Sequence, residues 1–133
     1  MKLGLDVHGV IDKYPCLATM AEALVLYGEE VHIITGSSWE ASEDGIFSHE
    51  GMESYLEKFG FKRHLNFTHF FSIVDHHKAI GTEIKCDEKG CWMDPVLWNA
   101  TKSIYCAENK IDLHLDDSES YAKLFTTPVA IIR

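Results

Sequence analysis

The sequence predicts an α/β domain: a three-layer, Rossmann-like, mostly parallel sheet with helices on both faces. Three observations carry this expectation. Short, β-branched apolar runs alternate along the chain with longer stretches of helical periodicity. The 133 residues suit one domain with a real core, and 46% of them are hydrophobic. No internal repeat, low-complexity tract or linker divides the chain, so a single domain over 1–133 is expected.

Leu3 to Val7 reads as a fully buried strand. From Tyr14 to Tyr27 the residues Leu17, Met20, Ala21, Leu24 and Tyr27 recur at helical spacing; Pro15 suits a first turn and Gly28 a stop. Val31 to Thr35 is a second strand, ending at Gly36-Ser37-Ser38. Met52, Tyr55, Leu56 and Phe59 mark a second helix closed by Gly60. Phe70 to Val74 reads as a third strand.

Glu83 to Cys86 and Cys91 to Met93 then flank the turn-forming Asp87-Glu88-Lys89-Gly90, a hairpin signature. Asp94-Pro95 pairs an N-cap with a first-turn proline, and the helix it opens runs to about Asn109. Leu97, Thr101, Ile104 and Glu108 share one of its faces, and Trp98, Lys102 and Tyr105 another. Asp112 to Asp116 is a fourth strand, Ser118 to Phe125 a short helix, and Pro128 to Ile132 the last strand.

Parallel sheets bind ligands beyond the carboxyl ends of their strands. That directs attention to Asp6 and His8, to Thr35-Gly36-Ser37, to Asp75-His76-His77 and to Asp116-Asp117. Carboxylates gathered in one crevice repel each other, and a hard dication with oxygen ligands relieves them. Asp6 with Asp116 or Asp117 is therefore expected to clamp one Mg²⁺. Asp117-Ser118 also reads as a helix cap, which is compatible because one aspartate suffices for it. Taken alone, Lys102 reads as a solvated helix lysine and Thr35 as an ordinary strand-end residue.

The order of these residues resembles the haloacid dehalogenase-like superfamily over nearly the whole chain. Its first motif, an apolar strand ending in Asp-x-Asp-Gly-Thr/Val, is matched by Leu5-Asp6-Val7-His8-Gly9-Val10. Its second, an apolar strand ending in Thr or Ser, is matched by Ile33-Ile34-Thr35-Gly36-Ser37. Lys102 matches the third, and Leu113-His114-Leu115-Asp116-Asp117 the fourth. The resemblance implies a phosphatase in which Asp6 is the nucleophile and forms an aspartyl-phosphate. Mg²⁺ would be held by Asp6, the backbone carbonyl of His8, and Asp116 or Asp117. Thr35, Gly36 and Ser37 would bind the phosphoryl oxygens, and Lys102 would neutralise charge on nucleophile and phosphate.

The chain departs from that pattern at His8, where such phosphatases usually carry a second aspartate as general acid and base. Either His8 performs both proton transfers, a task for which histidine is suited near neutral pH, or turnover is impaired and the protein binds a phosphorylated ligand or partner. Neither usual position for a cap domain has room for one; segment 82–93 holds a single hairpin. A nearly open site favours a large or exposed phosphate group, or a lid from a second subunit of a homo-oligomer; the expected partner is a small phosphorylated substrate or an exposed phosphate on a larger molecule.

Composition excludes other classes. The net charge of −9 argues against nucleic-acid binding. No apolar run reaches membrane-spanning length and the N-terminus lacks a signal-peptide pattern, so a cytoplasmic location is expected. Four scattered cysteines read as reduced thiols. His76, His77, Cys86 and Cys91 suggest a zinc alternative, though facing thiols across a hairpin are the simpler reading. Trp92 and Trp98 read as core cover.

Overall fold

The computed structural model describes residues 1–40, 51–87 and 90–133. Five strands form one parallel sheet: β1 (Lys2–Leu5), β2 (Glu30–Thr35), β3 (His69–Ser72), β6 (Leu113–Asp116) and β7 (Val129–Ile131), in the order β3-β2-β1-β6-β7. β1 is therefore central, with β2 and β6 paired to its two edges. β4 (Lys85–Asp87) and β5 (Gly90–Trp92) form a separate antiparallel pair, with Cys86 opposite Cys91 in backbone register. The expected hairpin is thus present. Its turn residues Glu88 and Lys89 and the side chains of Cys86 and Cys91 lie outside the described residues.

Alternation along the strands sends successive side chains to opposite faces. Leu3, Leu5, Val31 and Ile33 join one apolar cluster, completed by Leu17 and Ala21 of α1 (Cys16–Leu26) and Met52 and Leu56 of α2 (Met52–Lys58). Ile34 faces the other way, with Cys106 of α4 (Pro95–Glu108) and Ile111. Helices therefore cover both faces of a Rossmann-like sheet. A last short helix, α5 (Glu119–Ala122), precedes β7.

α4 begins as its sequence predicts. Pro95 occupies the first turn, and the Asp94 carboxylate accepts from the backbone N–H of Val96 (2.9 Å) and Leu97 (3.1 Å). Lys102 lies in the middle of this helix.

Two segments differ from expectation. The third strand stops at Ser72, and α3 spans Ile73–Ala79. Ser72 caps that helix, its hydroxyl accepting from the Asp75 N–H at 3.1 Å, so the run from Phe70 to Val74 is half strand and half helix. Asp75, His76 and His77 consequently belong to a helix and not to a strand end. The first strand likewise ends at Leu5 and leads into a wide turn over Val7–Ile11, closed by Asp12 N–H to the Val7 carbonyl at 3.2 Å.

Candidate active site at the carboxyl ends of the strands

Asp6 is the first residue beyond β1, and its N–H continues the sheet by donating to the Leu115 carbonyl at 3.0 Å. Asp116 closes β6 beside it. From α4, the Lys102 ammonium reaches between them, 3.0 Å from Asp6 Oδ1 and 2.9 Å from Asp116 Oδ2. All three are buried: Lys102 is 1% exposed and Asp116 0%. The ammonium also lies 4.4 Å from the centre of the Tyr121 ring, a cation–π contact. Burying an ion triad costs several kcal/mol of desolvation per charge, so it is a poor device for stability alone.

Three donors orient the Asp116 carboxylate. Oδ2 accepts from Lys102 and from His114 Nε2 (2.9 Å), and Oδ1 from the Ser118 N–H (3.0 Å). Burial pushes its pKa up, but the His114 hydrogen bond and the Lys102 charge outweigh that and hold it at about 2. Asp6 moves the other way. Burial raises its pKa against the pull of Lys102, and Asp116 adds to the rise. Burial works against the Lys102 charge too, yet the two carboxylates raise its pKa and keep it protonated.

Asp117 is exposed and completes the group: Asp6, Asp116 and Asp117 each offer a carboxylate oxygen within 4.8 Å of the others. Three carboxylates face one ammonium, so negative charge remains when all are ionised. The donor set is all oxygen and hard, which fits Mg²⁺. Gly9 lets Asp117 approach. A Cβ at position 9 would stand 2.1 Å from Asp117 Oδ2, and its φ of +81° is one that side-chain-bearing residues rarely adopt.

The residues expected to hold phosphate stand at the carboxyl end of β2, the strand paired with β1. Thr35 is buried at the end of β2, and its hydroxyl accepts from the Ser37 N–H at 3.4 Å. Gly36 lies under Trp98, whose ring would be 2.8 Å from an added Cβ. Trp98 is held by its indole N–H donating to the Tyr121 hydroxyl at 2.8 Å, so it covers this loop and not only core. His8 lies on the rim with its side chain half-exposed; Nε2 is 3.3 Å from Ser37 Oγ and Nδ1 3.5 Å from Asp12 Oδ2.

Several residues here escaped the reading of the sequence. Asp12 accepts from the Gly9 N–H (2.7 Å) and the Tyr55 hydroxyl (3.0 Å), shaping the turn that carries His8. Asp75 was singled out as a strand-end residue, but its part is different: it accepts from the Ser38 hydroxyl and the Trp39 N–H (2.8 Å), pinning the loop after Thr35. The form Ser-x-x-Asp at Ser72 to Asp75, a helix-start signature, was the signal available for its place in a helix. Tyr121 and His114 carried none.

The zinc alternative loses a ligand. Both ring nitrogens of His77 face hydroxyls, Thr82 at 2.9 Å and Thr101 at 2.8 Å. Among the described residues no helix is long and apolar enough to cross a membrane. A comparison with protein-family models finds no match, and a comparison with curated proteins finds none either.

Proposed function

We propose that the protein is a Mg²⁺-dependent phosphomonoester hydrolase of haloacid dehalogenase-like type, working through a phosphorylated Asp6. The observation that carries this reading is the buried Asp6–Lys102–Asp116 triad at the carboxyl ends of β1 and β6, with Asp117 beside it. In this reading an Asp6 oxygen attacks phosphorus while the bond to the leaving oxygen breaks, and water then hydrolyses the acyl-phosphate. Lys102 offsets charge on Asp6 and on the phosphoryl group. Thr35, Gly36 and Ser37 orient the phosphoryl oxygens. Mg²⁺, held by Asp6, Asp116, Asp117 and the His8 carbonyl, would supply charge neutralisation and fix the substrate's orientation.

His8 is assigned the proton transfers. Its contact with Ser37 supports this by placing the imidazole beside the phosphate loop. A second reading, a phosphate-binding protein with impaired turnover, is favoured by the other His8 contact, Asp12 at 3.5 Å, which holds the ring by a group outside the triad.

A panel of alkyl and aryl phosphomonoesters, assayed with and without Mg²⁺, separates the two. Hydrolysis should require Mg²⁺ and fall about 10⁴-fold or more in Asp6→Asn. His8→Ala should cost alkyl esters, with poor leaving groups, about 10²–10⁴-fold and aryl esters less. Mg²⁺ binding without turnover on any ester selects the binding reading.

A further inference from the structure

A second cluster of ligand-type side chains stands at the opposite end of the sheet. Glu30 and His32 lie two residues apart on β2 and so share a face, and His69 of β3 is in register with His32. One donor atom from each lies within 4.8 Å of the other two. Thr35, at the carboxyl end, is three residues further along β2, about 10 Å away at the usual rise. The triad and this cluster are therefore separate sites.

We propose that Glu30, His32 and His69 bind a divalent metal ion of the zinc type, with a fourth position open to water. Two imidazoles and a carboxylate form a borderline donor set, which suits Zn²⁺ and not Mg²⁺. The spacing is right. Donors at 2.0–2.1 Å from one tetrahedral ion lie about 3.3 Å apart, and Glu30 Oε1 is 3.0 Å from His32 Nε2 and 3.6 Å from His69 Nδ1. His32 also has an outer partner: its Nδ1 lies 2.7 Å from the Tyr105 hydroxyl of α4. Without a metal, Nε2–H donates to Glu30 Oε1 at 3.0 Å; on metal binding the ring proton would stand on Nδ1, donating to the Tyr105 oxygen, and the Nε2 lone pair would be free to ligate.

Lys2 lies on the other carboxylate oxygen, 3.4 Å from Glu30 Oε2, and leaves Oε1 to the cluster. One movement is needed. The rings of His32 and His69 are stacked, 4.2 Å apart and 7° from parallel, whereas an ion lies in the plane of each ring it binds. His69, half-exposed on an edge strand, turns out of the stack and exchanges its 2.9 Å contact with Thr68 Oγ1 for the metal.

The test is calorimetric titration of Zn²⁺ into the whole chain with Mg²⁺ in excess, which keeps the acidic cluster occupied. The wild type should bind one Zn²⁺ at micromolar Kd or tighter. His69→Ala and Glu30→Gln, both at accessible positions, should weaken binding at least about 100-fold, and Tyr105→Phe about 10–100-fold. Co²⁺ in place of Zn²⁺ should give the visible bands of a four-coordinate site in the wild type and lose them in His69→Ala. Absence of zinc binding by the wild type, or equal binding by His69→Ala and Glu30→Gln, overturns the proposal.

Discussion

Leu3, Leu5, Val31 and Ile33 fill one face of the sheet; His32, one residue out of phase on β2, stands on the other with His114 and Asp116 of β6. The first face is closed by α1 and α2 with apolar side chains throughout. The second is closed by α4, whose buried residues are Thr101, Lys102, Ser103 and Cys106. There Tyr105 bonds His32, and Lys102 bonds Asp6 and Asp116. An apolar face needs only shape and volume to be satisfied. A polar face needs every partner in place, since a buried group that loses its partner bears the full desolvation cost. The difference teaches that one side of this sheet supplies stability and the other spends some of it to hold charge where chemistry is proposed.

Removing Lys102 is the strongest way to break that division. Lys102→Met should lower stability by about 3–5 kcal/mol, because two buried carboxylates lose their counter-charge. Leu5→Ala, on the apolar face, should cost about 2–5 kcal/mol through a cavity. Denaturant unfolding measures both losses, and the pattern of response sharpens the comparison. Leu5→Ala should keep the stabilisation by Mg²⁺, and Lys102→Met should alter it. Equal Mg²⁺ responses in the two variants would mean that the faces do not differ in function.

Mg²⁺ itself should act on the polar face alone. At about a hundredfold excess over its Kd it should add about 2.7 kcal/mol, seen as a rise in thermal midpoint. Asp6→Ala should abolish that rise, and an unchanged rise would place the ion elsewhere.

Acid titration gives a smaller effect with a definite sign. Asp116 has a folded pKa of about 2, below the 3.9 or so of an unfolded aspartate. Its contribution is therefore present above about pH 4 and lost as pH falls toward 2. Asp6, with its pKa raised chiefly by burial, has the opposite sign: its contribution is present at low pH and lost as pH rises through its folded value. In stability measured against pH without metal, Asp116→Asn should flatten the acid limb between pH 4 and 2. A limb as steep as the wild type's would remove Asp116 from this account.

The hairpin should matter least. β4 and β5 pair with each other and not with the main sheet. Replacing 83–92 with a short glycine linker, while keeping the Thr82 hydroxyl that bonds His77, should cost less than about 1 kcal/mol. A larger loss by denaturant unfolding would make the hairpin part of the polar face.

Much of this arrangement was legible in the residues. The alternation of apolar runs with helical periodicity determined the layers, and Asp94-Pro95 determined where α4 begins, because caps and periods are local properties of the chain. Strand ends at Thr35 and Asp116 followed from where apolar runs stop, and so did the choice of Asp6, Thr35 and Asp116 as candidate site residues, whereas β1 stops at Leu5, two residues short of the expected end at Val7. The run from Phe70 to Val74 was ambiguous for the same reason. Short apolar segments suit a strand or a buried helix turn alike, and the Ser72 cap decided between them. Which partner each polar side chain takes was settled only by tertiary structure. Nothing local ties Lys102 to Asp6 across 96 positions, Tyr105 to His32 or Trp98 to Gly36. Those pairs exist because β1 lies between β2 and β6 and α4 packs across the same face, and a hydrogen bond or ion pair depends on separation in space.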